Sequence, residues 1–237
     1  MIYIDAGTTY SKIIELNAKD NNSFDMQYCV KRTEDKIYYI IPSSIVKKKE
    51  FKIKRCCGHM SSSEQENIYE NEIIALANGC KDIVEKDSVI LDLGSRDAKW
   101  IHFKDGKFHD MDWNTSCASS TGATIEMLLK FYNLNSEDLK FNKEKFAVTC
   151  GTFGLEKIME DISNGANAED AVSKFVHGIA YNAWNFAKNP KKIYLSGGFC
   201  ENNCFVESLK NYCEVVKLGR FILCEGLLNA DTEVAIV

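Results

Sequence analysis

The chain has 237 residues, of which 45% are apolar, and its formal net charge is −5 with a pI near 5.5. This charge excludes the broad basic surface typical of nucleic-acid-binding proteins. No apolar run approaches the ~20 residues of a membrane span. Ten cysteines without disulfide-type spacing, in a chain that opens on a strand pattern and not on a signal peptide, indicate a reducing compartment, expected to be the cytoplasm.

The N-terminus carries a turn motif that runs from Asp5 to Lys12: Asp, one residue, Gly, a hydroxyl residue, two residues, a small residue, Lys. The apolar stretch Ile2–Ile4 leads into it and Ile13–Ile14 leads out. In such a hairpin the glycine lets the backbone approach an anion and the hydroxyl adds a donor. The carboxylate can hold hydrated Mg²⁺ or orient water. A single copy of this motif is more typical of a simple hairpin turn, and a second copy is needed to favour phosphate binding.

The rest of the first half has weaker signals. A third strand is predicted over about 24–31, and a polar segment follows through Pro42 to Ser44. Ser63 and Glu66 form a capping-box pattern, so a helix is predicted from there to about Glu85. Glu72 lies off the apolar face of that helix, and periodicity alone therefore places it on the surface. The apolar positions that define the face are Tyr69, Ile73, Leu76, Cys80 and Ile83.

The second half repeats the arrangement. A second copy of the motif runs from Asp92 to Lys99, 87 residues after the first, with Val89–Leu91 leading in and Trp100–Phe103 leading out. Asp105-Gly106 predicts the next hairpin and Phe108–Trp113 a third strand. Two halves with the order strand, strand, strand and then helices indicate an internally duplicated α/β fold. The duplication predicts subdomains 1–87 and 88–237 and a phosphate-bearing nucleotide held between the two hairpins.

The remaining pattern is mostly helical. Helices are predicted after Gly122, after Gly151 and from Ala168 to Ala187, and the last one stops at Pro190. The further predicted elements are a short helix or turn at 135–139, a strand at 192–195, a helix from near Asn202, a strand from near Glu214 and a helix at 231–237.

Two cysteines stand apart from the others. Cys117 and Cys150 each lie just before a helix among small or hydroxyl residues, where the helix N-terminus stabilises a thiolate. Each alone is equally explained as a buried helix-cap thiol. In a symmetric dimer the pair would supply the four thiolates that a [4Fe–4S] cluster needs. Cys200 and Cys204 share a spacing that can bind metal, but one face of a helix is the simpler interpretation.

Several of these motifs resemble those of the actin, Hsp70 and sugar-kinase superfamily, whose subdomains are ribonuclease H-like. The two hairpins resemble its two phosphate loops, Asn71-Glu72 its connecting helix, and Ser196-Gly197-Gly198 its adenosine loop. The resemblance implies ATP or ADP with Mg²⁺ as ligands. It implies that Asp5, Asp92 and Glu72 are catalytic. The implied nucleotide contacts are Gly7, Thr8, Thr9, Lys12, Gly94, Ser95, Gly197 and Gly198.

One branch of that superfamily is more similar: the BadF/BadG/BcrA/BcrD ATPase family of 2-hydroxyacyl-CoA dehydratase activators. The resemblance rests on Asp92–Lys99, on Asn114–Gly122, on Thr149-Cys150 with Phe153 and Glu156, and on Gly197-Gly198 with Asn202. It implies a homodimer that shares one [4Fe–4S] cluster between Cys117 and Cys150 of each subunit. It also implies electron transfer from a donor such as ferredoxin or flavodoxin to a dehydratase-like iron–sulfur partner.

The chain departs from the family pattern at three places. Ser95-Arg96 replaces Gly-Gln, which removes an amide expected to orient water or phosphate, and Ser119-Ser120 replaces Ala-Gly in the cysteine loop. The residues 229–233 replace a helix start rich in glycine and alanine. Two alternative functions stay open at this point: a small-molecule kinase acting on a sugar or pantothenate-like alcohol, and a non-enzymatic nucleotide-dependent assembly protein. Neither would need Cys117 and Cys150.

Overall fold

The computed structural model describes residues 1–16, 23–46, 52–59, 68–114, 121–148 and 151–234. Ten strands and seven α-helices are found in this part of the chain. The strands are β1 (Ile2–Ala6), β2 (Tyr10–Leu16), β3 (Cys29–Arg32), β4 (Lys36–Pro42), β5 (Ile53–Cys57), β6 (Ser88–Leu93), β7 (Ala98–Lys104), β8 (Lys107–Asn114), β9 (Lys192–Gly197) and β10 (Glu214–Gly219). The helices are α1 (Ser43–Val46), α2 (Glu72–Cys80), α3 (Gly122–Phe131), α4 (Gly151–Ser163), α5 (Ala168–Phe186), α6 (Asn203–Lys210) and α7 (Ile222–Val234).

The chain forms two compact units. The first contains Met1–Val84 together with Arg220–Val237, and the second contains Glu85–Gly219. The sequence division at residue 87 assigned the C-terminal segment to the second half, whereas α7 packs on α2, β1 and β5 of the first unit. Each unit has one five-stranded sheet, so the mixed α/β fold predicted from the duplicated pattern is confirmed.

The first unit's sheet has the strand order β3-β4-β2-β1-β5. β1 pairs antiparallel with β2 and parallel with β5. The prediction of a polar segment through Ser44 is wrong, because β4 occupies Lys36–Pro42 and buries Ile37, Tyr39 and Ile41. The third strand predicted over 24–31 is shorter than expected: a 3₁₀ turn takes Met26–Tyr28, and the strand begins at Cys29.

The second unit's sheet has the order β10-β9-β6-β7-β8. β6 pairs antiparallel with β7 and parallel with β9, so it lies at the centre of the sheet, where its residues Val89–Leu91 form an apolar run. Helix α5 covers this sheet with a fully buried face that includes Val172, Phe175 and Val176. Asp105-Gly106 forms the predicted hairpin, with φ of 52° and 74°.

The helices of the first unit differ from the prediction. The Ser63–Glu66 capping box lies outside the described residues. Helix α2 begins at Glu72, not near Ser63, and Asn71 caps it by accepting a hydrogen bond from the backbone N–H of Ile73 at 2.8 Å. Tyr69 precedes the helix and forms an isolated bridge with Cys56. The C-terminal helix begins at Ile222, nine residues before the predicted start.

Close packing joins α2 to α7 in the first unit. A Cβ added at Gly226 would overlap the carbonyl oxygen of Ala75, and one added at Gly79 would overlap that of Ile222. Glycine at both positions therefore lets the two backbones approach each other more closely than any side chain would allow. Within the described ranges, no helix combines the length and apolar character that crossing a membrane requires.

Candidate functional site

The repeated motif places its aspartate and lysine side by side. Asp5 and Lys12 are cross-strand neighbours in the β1–β2 hairpin, and Asp92 and Lys99 are neighbours in the β6–β7 hairpin. Lys12 Nζ donates to Asp5 Oδ2 at 2.9 Å, and Lys99 Nζ lies 3.4 Å from Asp92 Oδ2. The spacing of seven residues thus places an aspartate–lysine ion pair across each tight hairpin, at the base of its turn.

The first turn is built around Gly7. A Cβ at this position would lie 2.6 Å from the carbonyl oxygen of Tyr10, so only glycine fits the turn. Thr8 is exposed and Thr9 is half-buried. Ser43, the first residue of α1, donates from Oγ to the Gly7 carbonyl at 2.6 Å, and its backbone N–H donates to the Thr9 carbonyl at 3.0 Å. These bonds fix the first turn to the start of α1.

The second turn is supported in the same way by the start of α3. Thr121 Oγ1 donates to the Ser95 carbonyl at 2.6 Å. The backbone N–H groups of Gly122 and Ala123 donate to the Gly94 and Ser95 carbonyls at 3.3 and 2.9 Å. The unpaired donors of a helix N-terminus are thereby satisfied by the turn, and the turn is fixed to the helix.

Sequence reasoning missed Ser43 and Thr121. Both are hydroxyl residues at the start of a helix, which is the ordinary signature of an N-cap. In this fold each instead supports a hairpin that is distant in sequence. The available signal was their matching position, since each lies at the first helix after the outgoing strands of its own hairpin.

Two buried polar atoms near the second turn have no hydrogen-bond partner among the described residues: Asp92 Oδ1 and Ser196 Oγ. Asp92 and Ser196 face each other in the parallel register of β6 and β9. Asp92 is 4% exposed and Ser196 is fully buried. Buried polar atoms are normally satisfied, so this pair fits a ligand that brings its own polar groups, such as a hydrated cation.

The predicted adenosine loop has one constrained glycine. Gly197 ends β9 with φ of 91°, and an added Cβ would overlap the Leu93 carbonyl on the neighbouring strand. Gly198 is half-buried and an added Cβ there would meet no atom within 4 Å. Gly197 therefore serves the close approach of β6 and β9, and Gly198 leaves open space beside it.

Glu72 is buried, with 5% exposure, although helical periodicity placed it on the surface. The prediction was wrong because Glu72 shares a helix face with Leu76 and Gly79, and this face is buried where α2 packs on α7. As the first residue of α2, its carboxylate lies where the helix dipole favours negative charge. A buried carboxylate at this place is compatible with the catalytic role that the resemblance implies.

Cys117 and Cys150 lie outside the described residues, so their geometry is not part of this description. Of the eight described cysteines, seven are buried and Cys29 is half-buried. Cys200 and Cys204 donate to two different carbonyls, those of Leu195 at 3.0 Å and Lys140 at 3.3 Å. Burial raises the pKa of Cys200 to about 12. The interpretation of most cysteines as small core residues is confirmed. Cys200 and Cys204 do not share one helix, because Cys200 lies in the 3₁₀ turn Gly198–Glu201 and α6 begins at Asn203.

Comparison of the sequence with known proteins matches one family model and a dehydratase activator. A family model described as the BadF/BadG/BcrA/BcrD ATPase family matches residues 51–222. The (R)-2-hydroxyglutaryl-CoA dehydratase activating ATPase of Acidaminococcus fermentans is 22% identical over 217 residues, which cover 84% of this chain and 82% of that protein.

Two solved structures share the fold. Component A of the Acidaminococcus fermentans (R)-2-hydroxyglutaryl-CoA dehydratase has a TM-score of 0.76 at 18% identity, covering 100% of this chain and 99% of that one. The activator of the 2-hydroxyisocaproyl-CoA dehydratase from Clostridium difficile with bound ADPNP has a TM-score of 0.73 at 19% identity, covering 100% and 97%.

Proposed function

The chain belongs to the BadF/BadG/BcrA/BcrD ATPase family, and on this premise we propose that it is an ATP-dependent reductive activator. It delivers single electrons from a [4Fe–4S] cluster, shared by two copies of the chain, to a partner iron–sulfur enzyme. The partner is of the 2-hydroxyacyl-CoA dehydratase or benzoyl-CoA reductase type. Three curated relatives whose names describe such activators support this class of partner.

The nucleotide part is supported by the buried Oδ1 of Asp92, which has no hydrogen-bond partner in the part of the chain that the structure describes, beside a Gly-containing turn of the kind that binds anions. Asp5 and Asp92 hold Mg²⁺ and position the attacking water in this proposal. Glu72 orients water or metal. Mg²⁺, when bound, neutralises phosphate charge and orders water. The N–H groups and hydroxyls of the turns hold the phosphates through Gly7, Thr8, Thr9, Lys12, Gly94 and Ser95, and Gly197-Gly198 lie against the adenosine.

We assign the cluster to Cys117 and Cys150, as the family resemblance implies, and the burial of most other cysteines supports this assignment. Seven of the other eight are core residues, and Cys29 lies half-buried on the short strand β3. A cluster of this type supplies one electron at a time at a potential set by its surroundings. The ten cysteines lack the spacing of a disulfide framework, which fits a reducing compartment, so we place the protein in the cytoplasm.

Anaerobic purification tests the proposal. We expect a brown protein with about four iron atoms per two chains, and loss of that iron in Cys117→Ala and Cys150→Ala. Cys29→Ala is the matched control, because it removes a cysteine assigned no ligand role and should retain the iron. A colourless wild-type protein that phosphorylates an added alcohol would overturn the activator in favour of the kinase.

ATP hydrolysis is the second measurement. Asp92→Asn keeps the shape of the side chain and removes its charge, so hydrolysis should fall by about 10²-fold or more if this carboxylate organises the metal and water. The variant should retain its iron, because Asp92 is not assigned to the cluster. Hydrolysis at the wild-type rate in Asp92→Asn would remove this residue from the catalytic set.

A further inference from the structure

A chain of polar contacts leads from Asp92 to the end of strand β8. Lys99 Nζ lies 3.4 Å from Asp92 Oδ2 and 3.4 Å from Asp97 Oδ1. The second oxygen of Asp97 accepts a hydrogen bond of 2.6 Å from the indole Nε1 of Trp113. Trp113 is also the cross-strand neighbour of Lys99, whose Nζ lies 5.4 Å from the centre of the indole ring.

Burial makes this chain of contacts stiff. Lys99 is 2% exposed, Asp92 4% and Asp97 8%. A buried cation is tolerated only when carboxylates compensate it, and here two carboxylates share one lysine. If a ligand withdraws the Asp92 carboxylate, Lys99 depends more strongly on Asp97, and Asp97 is held by Trp113. A displacement of Asp92 is therefore transmitted to the Trp113 indole through Lys99 and Asp97, whose side chains are buried from water.

Among the described residues, the first hairpin has no carboxylate at the motif position of Asp97. Tyr10 occupies the motif position of Asp97 and is exposed. The cross-strand neighbour of Lys12 on β4 is Ile40, which offers no side-chain donor where β8 offers the Trp113 indole. The extra carboxylate and its indole partner are thus specific to the hairpin that precedes Cys117 in the chain.

Both elements that flank Cys117 are attached to the second turn. Strand β8 ends at Asn114 and is joined to the turn by Trp113, one residue earlier. Helix α3 begins with Gly122 and is joined to the turn by the bonds of Thr121, Gly122 and Ala123 to the Ser95 and Gly94 carbonyls. The residues 92–97 therefore anchor Trp113, next to the last described residue before Cys117, and Thr121, the first described residue after it.

We propose that Asp97 and Trp113 are positioning residues that couple the state of Asp92 to the end of β8. They hold Lys99 against Asp92, and they transmit the displacement of Asp92 on nucleotide binding to the strand that leads into the cysteine segment. The proposal rests on the proposed function only in that a nucleotide binds at the second turn.

Hydrogen exchange of peptides from 107–114 and 121–131 tests the proposal, with and without Mg²⁺ and a non-hydrolysable ATP analogue. Nucleotide should change the exchange of both peptides in the wild type. In Trp113→Phe, which keeps an aromatic ring but removes the Nε1 donor, the nucleotide-dependent change in 107–114 should be lost. Asp97→Asn should give the same loss while it preserves the side-chain shape, and it serves as the second variant if Trp113→Phe folds poorly.

Trp184→Phe is the matched control. It also removes one indole hydrogen bond, that of Nε1 to the Pro190 carbonyl at 3.0 Å, in the same unit. This variant should keep the wild-type response. If Trp113 were merely structural, Trp113→Phe would raise exchange equally with and without nucleotide and the nucleotide-dependent difference would persist, which would overturn the proposal.

Calorimetry on the same samples distinguishes a failure of the coupling from a failure of the nucleotide site. Wild-type protein that binds the analogue but shows no change in 107–114 overturns the coupling alone. Wild-type protein that gives no binding heat overturns the nucleotide site, and the coupling with it. The variants should still bind the analogue, because neither Asp97 nor Trp113 is assigned to contact it.

Discussion

Lys99 of the second hairpin carries a charge although its side chain is only 2% exposed. Lys12 and Lys99 hold the same motif position, yet Lys12 retains part of its solvent contact and Lys99 retains almost none. Sequence spacing predicts that both lysines belong to phosphate turns. It could not predict that one is buried, because the burial depends on Trp113, which comes from the third strand of the sheet.

Lys99→Met tests the energetic role of the buried lysine. The substitution leaves two buried carboxylates without their cation, so the free energy of unfolding should fall by about 3–5 kcal/mol. Urea unfolding monitored by circular dichroism measures this change. Lys210→Met is the control, since it removes an exposed pair with Glu207 and should cost about 0.5 kcal/mol or less. Equal losses in the two variants would show that the Lys99 cluster does not stabilise the unit.

The buried thiols predict a pH dependence. Burial raises the pKa of Cys213 from 9.0 to about 11. Because the folded value lies above the unfolded one, this thiol contributes stability that is complete below pH 9.0 and is lost as pH rises toward about 11. At about pH 8 its thiolate fraction in the folded protein should be ~100-fold lower than in the unfolded chain.

Iodoacetamide labelling followed by peptide mass spectrometry checks this expectation. Cys213 should label far more slowly in the native protein than in concentrated urea, and more slowly than the half-buried Cys29. Rapid native labelling of Cys213 would contradict its burial and would also weaken the assignment of the core cysteines as inert.

At the scale of elements, the second unit was largely predictable and the first was not. Strands β6 to β8 follow regular apolar patterns separated by turn residues, and α5 has a long amphipathic stripe with Pro190 just beyond its end. Strand β4 was missed because its sequence begins in a charged stretch and ends at Pro42 and a pair of serines, which resemble loop signals. Helix α2 was predicted too long because Tyr69 fits the helical spacing, although it lies in a bridge to β5.

Gly226→Ala tests the packing of the C-terminal helix. The added methyl group overlaps the Ala75 carbonyl, so α7 must shift away from α2, and overpacking of this kind costs about 1–3 kcal/mol. Urea unfolding of nucleotide-free protein measures the loss. Gly198→Ala is the control because its added Cβ meets no atom within 4 Å, so its unfolding midpoint should stay near the wild-type value. An unchanged midpoint in Gly226→Ala would mean that the two helices are less tightly apposed.

At the scale of the whole molecule, the candidate site was visible in the sequence as a repeat, but its supports were not. The pattern identifies Asp5, Gly7, Asp92 and Gly94 because a hairpin is local in sequence. The residues that hold the hairpins, Ser43 and Thr121, come from later elements and become neighbours only when each sheet has formed. Local chemistry can thus be predicted from the motif, whereas its positioning requires the tertiary structure.

Iron removal should change the size of the particle. If Cys117 and Cys150 of two copies hold one cluster, a chelator under anaerobic conditions removes a bond between subunits and leaves only their surface contacts. Sedimentation velocity should then show the mass falling from twice the 26.8 kDa of the chain toward a single chain as the protein is diluted. Cys117→Ala, which cannot assemble the cluster, should show the same dissociation without chelator, and Cys29→Ala should behave as the wild type. A chelated protein that stays at twice the chain mass at every concentration would mean that protein surfaces alone hold the dimer, and the cluster would lose its role in joining the subunits.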